Sequence, residues 1–309
     1  MQGFLNQNPQ QREVCNLKTN ETFMRTSTQR RISICQFSTF RWTFEEDVIR
    51  YATHGFKNIG IWRRKLDEDC LAAIDLLYEA KMSVSSVHWA GGFTGDGQSF
   101  SNAIEDGIEA IELASRVDAG CLIIHPGSRN GHTTSHARRL FSSALENLLP
   151  VAADYGVTLA LEPVLDQLAN PWSFMNQFEE SIEFLQQFPS QHLGLVLDLF
   201  SFGFDSNVFE LLASYVNRIS LVQIADRCQA NPLARLPLGA GQVPLKRWLG
   251  SLQQLGYSGS FELEVHGPSV KEIDYFSLLD QTHNFFSERS MDRLIALPSK
   301  SSRISQQTN

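Results

Sequence analysis

The sequence lacks several features that would place a chain of 309 residues in a common functional class. It has 26 basic residues against 34 acidic ones and no prominent run of Lys or Arg, which argues against a surface for nucleic acid. No segment approaches the roughly 20 consecutive apolar residues that span a bilayer. The amino-terminal segment also lacks the basic-then-apolar pattern of a secretion signal. We therefore expect neither nucleic acid nor a membrane as a partner.

The chain has five cysteines, an odd number, and no two of them form a CxxC pair. Cys35 and Cys121 lie inside apolar runs, where a thiol packs as a small hydrophobic group. This usage is typical of reduced thiols in a cytoplasmic protein, and it argues against a disulfide framework or a zinc–cysteine cluster.

Both ends of the chain differ in composition from its middle. Residues 1–30 are polar, rich in Gln, Asn and Thr and without periodicity, so we expect a disordered leader or a start codon assigned too early. Residues 289–309 are expected to form a loose C-terminal tail. The segment 31–288 has the pattern of one large domain, and a chain of this length can bury an extensive core.

The middle of the chain alternates eight short apolar runs with eight longer amphipathic stretches. Strands are predicted at 32–37, 58–62, 84–88, 121–125, 157–162, 193–198, 219–224 and 260–265. Helices are predicted at 44–53, 67–80, 103–117, 137–155, 174–188, 208–216, 245–255 and 275–286. Strict alternation indicates parallel strands joined by right-handed crossovers, and eight units match an α/β fold of the (β/α)₈ TIM barrel type. A doubly wound open sheet is the alternative, but the first strand is not followed by the Gly-rich phosphate loop common in that fold.

Polar side chains end most of the predicted strands, and in a TIM barrel those ends carry the active site. The candidates at these ends are Trp62, His88, His125, Glu162, Asp198, Gln223 and Glu264. Side chains alternate along a strand, so Glu162 should face the barrel axis together with Ala160, and Glu264 together with the deeper Glu262. The carboxylates should therefore converge at the mouth of the barrel.

Three carboxylates in one place raise each other's pKa, and a divalent cation would relieve that repulsion. Two Glu, one Asp and the Gln223 amide make an all-oxygen donor set, which suits Mn²⁺ or Mg²⁺ best and leaves Co²⁺ and Zn²⁺ as alternatives. The competing interpretation is that each acid simply ends a strand at the surface, where acids are usually found. Four polar ends on four successive strands favour the shared site.

Four motifs connect these strand ends with a known family. They are LALEP with Glu162, LVLD with Asp198, VQIAD followed by RLPLGAGQVPL with Gln223 and Arg235, and GYSGSFELEVHG with Glu264. Through them, residues 32–287 resemble the sugar isomerase/epimerase superfamily with a xylose isomerase-like TIM barrel. Its members include hydroxypyruvate isomerase, ketose 3-epimerases and inosose dehydratase.

The resemblance implies both a site and a chemistry. It implies one divalent metal ion held by four side chains, those of Glu162, Asp198, Gln223 and Glu264. The two glutamates would be the acid/base pair, and Arg235 is similar to an arginine that contacts the substrate in the epimerases. The chain departs from many relatives at Ser201, where they have the histidine that usually contacts the ketose.

His88, His125 and Trp62 are further candidates for contact with the substrate. A histidine at a strand end could bind a sugar hydroxyl or transfer a proton, and an indole could stack on a sugar ring. Ordinary packing or hydrogen bonding at the mouth is the alternative for each of them. The segment Ala225–Gln242 is long for a βα loop, and it is either a lid that excludes water or a plain surface excursion.

The first functional hypothesis is a metal-dependent isomerase or epimerase of a small sugar, keto-sugar or hydroxy-keto acid. It would act through an enediolate, with Glu162 and Glu264 transferring the proton. The second is a dehydratase or lyase on keto-inositols or 3-keto-glycosides, in which the same intermediate expels a leaving group. The third is a non-catalytic sugar-binding barrel. A homodimer is also left open.

Overall fold

The computed structural model describes residues 31–66, 70–95, 97–165, 172–267 and 271–287. The expectations for residues 1–30 and 289–309 lie outside this part of the chain. Within it, the strands are β1 (Ile32–Cys35), β2 (Asn58–Trp62), β3 (Ser83–Gly91), β4 (Leu122–His125), β5 (Leu159–Leu161), β6 (Leu193–Asp198), β7 (Ile219–Ile224), β8 (Asp226–Cys228), β9 (Asn231–Leu236) and β10 (Ser260–Leu263). The α-helices are α1 (Phe44–Thr53), α2 (Leu71–Ala80), α3 (Phe100–Arg116), α4 (Thr134–Asp154), α5 (Phe178–Leu185), α6 (Leu199–Phe202), α7 (Ser206–Tyr215), α8 (Leu245–Gln254) and α9 (Tyr275–Phe285).

Eight parallel strands close into a barrel in the order β1-β2-β3-β4-β5-β6-β7-β10. Helices alternate with these strands along the chain, as βα units require. The predicted (β/α)₈ TIM barrel is therefore confirmed, and each predicted strand and helix overlaps an observed one. None of the described helices is long and apolar enough to cross a membrane.

The segment after β7, predicted as either a lid or a plain excursion, contains an antiparallel ribbon formed by β8 and β9. The carboxylate of Asp226 fastens the base of this ribbon. It accepts hydrogen bonds from three backbone N–H groups, those of Arg227, Gly239 and Val243. The ribbon carries Arg235 on β9 to the mouth of the barrel.

Helix α5 begins at Phe178 rather than at the predicted residue 174, because the chain before it makes backbone contacts elsewhere. The N–H of Phe174 donates to the carbonyl of Gly127 at 2.8 Å, and the N–H of Gly127 donates to the carbonyl of Trp172 at 3.0 Å. These bonds hold the segment before α5 against the loop after β4. Such long-range pairing leaves no local signal in the sequence, and it fixes the backbone of Trp172 near the barrel mouth.

Side chains from the strands form two hydrophobic cores, one on each side of the barrel wall. The core inside the barrel consists of Cys121, Ile123, Ala160, Val196 and Leu221, with Trp89 packed against it. The larger core lies between the strands and the helices, and it includes Leu159, Leu161, Leu195 and Leu197. This arrangement confirms that Ala160 faces the inside of the barrel, as the alternation of side chains along a strand predicts. Cys121 is a free thiol, as are the other described cysteines.

Glu262 on β10 is a fully buried carboxylate inside the barrel. Its Oε2 atom accepts hydrogen bonds from Ser85 and Ser86 at 2.6 Å each, and its Oε1 atom lies 2.7 Å from Nε2 of His88. Gly60 on β2 faces the same carboxylate, and a Cβ atom at this position would overlap Glu262. The missing side chain at Gly60 therefore makes room for a buried charge.

We expect Gly60→Ala to lower the free energy of unfolding by about 1 to 3 kcal/mol, because hydrogen bonds prevent Glu262 from moving aside. Gly250→Ala is the matched control. A Cβ atom at Gly250 meets nothing within 4 Å, and alanine inside α8 should stabilise the helix by up to about 1 kcal/mol. Urea denaturation followed by circular dichroism measures both changes. A Gly60→Ala protein as stable as the wild type would contradict this packing.

Candidate active site

The C-terminal ends of the barrel strands surround a cavity of about 440 Å³. Its lining consists of Phe37, Trp62, Arg64, His88, Trp89, His125, Glu162, Val164, Trp172, Phe200, Leu233, Arg235, Glu264, His266 and Gly267. Six of the eight predicted site residues are in this lining. The other two, Asp198 and Gln223, are 1% and 0% exposed and lie outside it.

Glu162 and Glu264 reach the cavity because the strand pattern continues past the ends of β5 and β10. The N–H of Glu162 donates to the carbonyl of Ile124 at 3.2 Å, and that of Glu264 donates to the carbonyl of Ile224 at 3.0 Å. Each glutamate lies two residues beyond an inward-facing side chain, so alternation directs it to the barrel axis. Both residues are nearly fully buried, at 6% and 4% exposure.

The guanidinium of Arg235 lies among the predicted metal ligands. Its Nη2 atom is 2.9 Å from Oδ2 of Asp198, and its Nη1 atom is 3.1 Å from Oε2 of Glu264. The guanidinium also lies 4.4 Å from the ring centroid of Phe200. Arg235 therefore joins Asp198 to Glu264 in a buried ion-pair network, which the spacing of the motifs does not reveal.

Asp198 has further hydrogen-bond donors in the turn that follows β6. Its Oδ1 atom accepts from the N–H of Phe200 at 2.9 Å, which caps the short helix α6. Its Oδ2 atom accepts from the hydroxyl of Ser201 at 2.8 Å. Ser201, the point of departure from many relatives, is buried and orients Asp198 rather than lining the cavity.

The carboxylates at the mouth carry more negative charge than their surroundings neutralise. Burial raises the pKa of Glu162 well above its usual range, and repulsion from Glu264 and Asp198 raises this pKa further. Burial also raises the pKa of Glu264, although Arg235 and His88 act in the opposite direction. Glu162 is therefore poised to take up a proton, which is the property that a general acid/base needs near neutral pH.

His125 stands beside Glu162, with its Nε2 atom 3.5 Å from Oε2 of the carboxylate. Burial, together with the neighbouring His88, lowers the pKa of His125 to about 3, so the imidazole is neutral at physiological pH. Its buried Nδ1 atom has no hydrogen-bond partner among the described residues. A neutral imidazole in the cavity wall can donate or accept a hydrogen bond with a sugar hydroxyl.

The predicted metal ligands fit a divalent cation in charge and in donor type. When all three carboxyl groups are ionised, Glu162, Asp198 and Glu264 carry three negative charges against the one positive charge of Arg235. Within the described chain, these carboxylates are spread around the guanidinium rather than gathered within 4.8 Å of one another. Gln223, on the strand between β6 and β10, has a buried amide whose oxygen and nitrogen lack hydrogen-bond partners among the described residues. An unpaired buried amide is costly, and its oxygen is a normal ligand for a hard cation.

Below the mouth, His88 and Glu262 form a buried pair that the strand-end pattern did not predict. Burial lowers the pKa of His88, but the charge of Glu262 and its hydrogen bond outweigh this effect, so the net shift is upward. Burial raises the pKa of Glu262, but His88 and the two serine hydroxyls outweigh it, so the net shift is downward. Nδ1 of His88 lies 3.8 Å from Oε1 of Glu264. Because Glu262 is engaged below the floor, Glu264 is the better candidate to meet a substrate.

Cys35 completes a second candidate metal set with this pair. The ligand atoms of Cys35, His88 and Glu262 all lie within 4.8 Å of one another, which distinguishes this group among the His, Cys, Asp and Glu side chains of the described residues. Burial raises the pKa of the Cys35 thiol well above its usual range, which keeps it protonated. The Glu262 oxygens already receive hydrogen bonds, so this network is satisfied without an ion.

Aromatic rings occupy the ends of β1 to β4, whereas the carboxylates and the amide occupy β5, β6, β7 and β10. The ring centroids of Phe37 and Trp62 lie 5.0 Å apart, and those of Trp89 and Trp172 lie 5.1 Å apart. Trp172 was not predicted as a site residue, because it lies in the loop after β5 and no strand end marks it. His266 was also missed, although it follows the last strand-end glutamate by two residues and alternation could have found it.

We expect Glu262→Gln to lower the free energy of unfolding by about 3 to 5 kcal/mol near pH 6, because His88 would stay buried without its counter-ion. Glu109→Gln, at an exposed position on α3, is the matched control and should change stability by less than about 0.5 kcal/mol. Urea denaturation of the two variants and the wild type provides the measurement.

The pH dependence of this stability difference gives the same prediction a second readout. The pKa of Glu262 is lowered, so its contribution is complete above the ordinary value of 4.5 and is lost as the pH falls through the lowered value. The pKa of His88 is raised, so its contribution is complete below the ordinary value of 6.5 and is lost as the pH rises through the raised value. The difference should therefore be largest between pH 4.5 and 6.5. A difference that does not change with pH would rule out the ion pair.

Comparison with known proteins connects this barrel to sugar enzymes. An inosose isomerase of Halalkalibacterium halodurans is 27% identical over 146 residues, which are 45% of this chain and 50% of that protein. The chain thus spans about half the length of the curated relative it matches.

Two solved structures share the fold over nearly their whole length. The structure of the IolI protein with a bound zinc atom has a TM-score of 0.73 and 18% identity, covering 86% of this chain and 100% of that chain. The 3-keto-D-glucoside 4-epimerase YcjR from E. coli has a TM-score of 0.68 and 16% identity, covering 81% of this chain and 97% of that chain. At these identities the likeness shows a common fold.

A match between most of the barrel and a family model shows the family to which the chain belongs. A family model described as a xylose isomerase-like TIM barrel matches residues 49–285. This span runs from α1 to α9 and contains Glu162, Asp198, Gln223 and Glu264. The chain therefore belongs to the xylose isomerase-like TIM barrel family.

Proposed function

We propose that this protein is an enzyme that isomerises or epimerises a small sugar, keto-sugar or hydroxy-keto acid with one divalent metal ion. The observation that carries the proposal is the pair of buried glutamates, Glu162 and Glu264, at the floor of the cavity. The inosose isomerase to which the chain is similar adds keto-inositols to the substrates worth testing.

Glu162, Asp198, Gln223 and Glu264 would hold the cation. Their oxygen donors suit Mn²⁺ or Mg²⁺, with Co²⁺ and Zn²⁺ as alternatives. When bound, the cation would polarise the carbonyl of the substrate and stabilise the negative charge that develops as a neighbouring proton leaves. The unpaired amide of Gln223 and the surplus of negative charge around Arg235 support this assignment.

Glu264 would remove the proton from the carbon next to the carbonyl, because Arg235 favours its ionised form, which is the form that acts as a base. Glu162, whose environment favours the protonated carboxyl group, would return a proton, to the same carbon in an epimerisation or to the neighbouring carbon in an isomerisation. The two glutamates therefore differ in proton affinity, as an acid/base pair requires.

The remaining candidates would position the sugar. His125 would form a hydrogen bond with a hydroxyl from the cavity wall, where its neutral imidazole lies. Trp62 and Arg235 would contact the substrate from the cavity wall, where both lie. His88 lies in the same lining beside Glu264 and is the deepest of these contacts.

Elimination is the second candidate reaction. The hydroxyl of Ser201 is bound to Asp198, so this position supplies no group for the usual ketose contact. The same proton abstraction would expel a leaving group from a keto-inositol or a 3-keto-glycoside, as in a dehydratase or lyase. Mass spectrometry of the product separates the two reactions, since only elimination changes the mass by the loss of water or of an aglycone.

We expect the wild type to hold about one divalent cation per chain after incubation with Mn²⁺ and removal of free metal, measured by elemental mass spectrometry. Asp198→Asn should lose most of this metal, because it removes a charged oxygen donor. Asp75→Asn, at an exposed position on α2, is the matched control and should keep it. A wild type that binds no metal under these conditions would overturn the metal-dependent mechanism.

We expect the wild type to exchange the hydrogen next to the carbonyl of inosose with solvent deuterium, measured by proton NMR in D₂O. Glu162→Gln and Glu264→Gln should each slow this exchange by about 10²-fold to 10⁴-fold, because each removes a proton-transferring group. Glu109→Gln should exchange at the wild-type rate. Variants at both glutamates that match the wild type would disprove their roles, and a wild type inactive on all keto-sugars would favour the sugar-binding barrel.

A further inference from the structure

We propose that the cavity contains an outer subsite for an aromatic ring joined to the sugar, built by Trp89, Trp172 and Leu233. The substrates would then be keto-sugars or keto-inositols that carry an aryl group, as aryl glycosides do. This inference deepens the proposed function, on which it rests for the occupant of the inner part of the cavity.

The lining of the cavity changes in exposure from the floor to the rim. Glu162 and Glu264 at the floor are 6% and 4% exposed, whereas Trp172 and Leu233 are 45% and 58% exposed. Large apolar side chains that face water within one concave site mark a place for an apolar ligand. Trp172 and Leu233 therefore expose apolar surface at the entrance of a cavity whose floor is polar.

Trp172 is fixed in place, although it is half exposed. Its carbonyl accepts a hydrogen bond from the N–H of Gly127 at 3.0 Å. Its ring meets that of Trp89 edge to face, with 5.1 Å between centroids and 76° between planes, and lies 6.4 Å from the ring of His125. The two indoles therefore form a pre-arranged wall, and a ligand need not order them on binding.

Leu233 reaches the rim from the ribbon that carries Arg235. The two residues are two positions apart on β9, so their side chains lie on the same side of the strand. Arg235 is buried among the carboxylates, whereas Leu233 is exposed at the outer end of the same cavity. One strand thus contributes to both the polar floor and the apolar rim.

The cavity is larger than a single sugar ring requires. An apolar cavity of about 150 Å³ is enough to hold benzene. The cavity at the barrel mouth has a volume of about 440 Å³. A sugar ring with its hydroxyl groups fills only part of this volume, and the remainder has room for a second six-membered ring.

Although Arg64 and His266 also line the cavity, the three side chains of the proposed subsite favour an aromatic ring over a second sugar. The polar groups that Trp89, Trp172 and Leu233 offer are the two indole N–H groups alone. A second sugar would lose hydration at several hydroxyls without gaining partners from these side chains, which is unfavourable. An aryl ring has no hydroxyl groups to dehydrate, and it gains edge-to-face or stacking contacts with the indoles.

The test measures equilibrium binding, so it does not depend on turnover. Isothermal titration calorimetry compares phenyl β-D-glucopyranoside with methyl β-D-glucopyranoside on the full chain, because the two differ only in the aglycone. We expect the phenyl compound to bind about threefold to tenfold more tightly, which is the contribution of one aromatic contact. In Trp172→Ala and in Leu233→Ala this ratio should fall towards one.

Tyr78→Ala is the matched control, because Tyr78 is 84% exposed on α2 and lies outside the cavity lining. It should keep the wild-type ratio, and circular dichroism checks that every variant is folded. Equal affinities in the wild type, or no binding of the phenyl compound, would overturn the proposal. A preference for cellobiose that depends on Trp172, without one for the phenyl compound, would also overturn it, because the subsite would then hold a second sugar.

Failure of the subsite and failure of the proposed function give different results. If deuterium exchange on inosose depends on the two glutamates but the phenyl group adds no affinity, only the subsite is wrong. If the phenyl group adds affinity through Trp172 but no keto-sugar undergoes exchange, the subsite stands and the proposed reaction is wrong.

Discussion

The burial of like charges inside one barrel is the constraint on which the rest of the site depends. Glu162, Asp198, Glu262 and Glu264 are all buried at or below the mouth of the barrel, where little water is present to screen their charges. Two basic side chains offset part of this negative charge. The imidazole of His88 lies beside Glu262 deep in the barrel, and the guanidinium of Arg235 lies between Asp198 and Glu264 at the mouth. At Glu162 the charge of Arg235 only partly offsets burial and repulsion, so its pKa stays well above its usual range, which is the property that the proposed proton transfer needs.

Different barrel strands supply the aromatic rings and the oxygen donors of the cavity. The first four strands bring aromatic rings to the mouth and the later strands bring oxygen donors, whereas the segments after β5 and β7 add Trp172 and Leu233. The partners that neutralise the acids come from far away in the sequence: His88 lies 174 residues from Glu262. Closure of the barrel is therefore what brings each charge to its partner, and a partly folded chain would leave the carboxylates hydrated and separate.

The sequence was a good guide to the barrel, because eight alternating apolar runs and amphipathic stretches constrain the chain along its whole length. It also placed Glu162 and Glu264 in the cavity, since side-chain alternation along a strand is a local property. It could not place Arg235 among the acids, because that position depends on a ribbon fastened by Asp226. It missed Trp172 for a similar reason, since the backbone bonds to Gly127 join two loops that have no periodic pattern.

The ribbon formed by β8 and β9 has a consequence for how such a protein can change during evolution. Its base is closed by Asp226, and the two strands pair with each other rather than with the barrel. Insertions or substitutions near its tip would therefore leave the hydrogen-bond ladder of the barrel intact. Because the same ribbon presents Leu233 and Arg235, a lineage could acquire new ligands by remodelling one short hairpin while the carboxylates on the barrel strands stay unchanged.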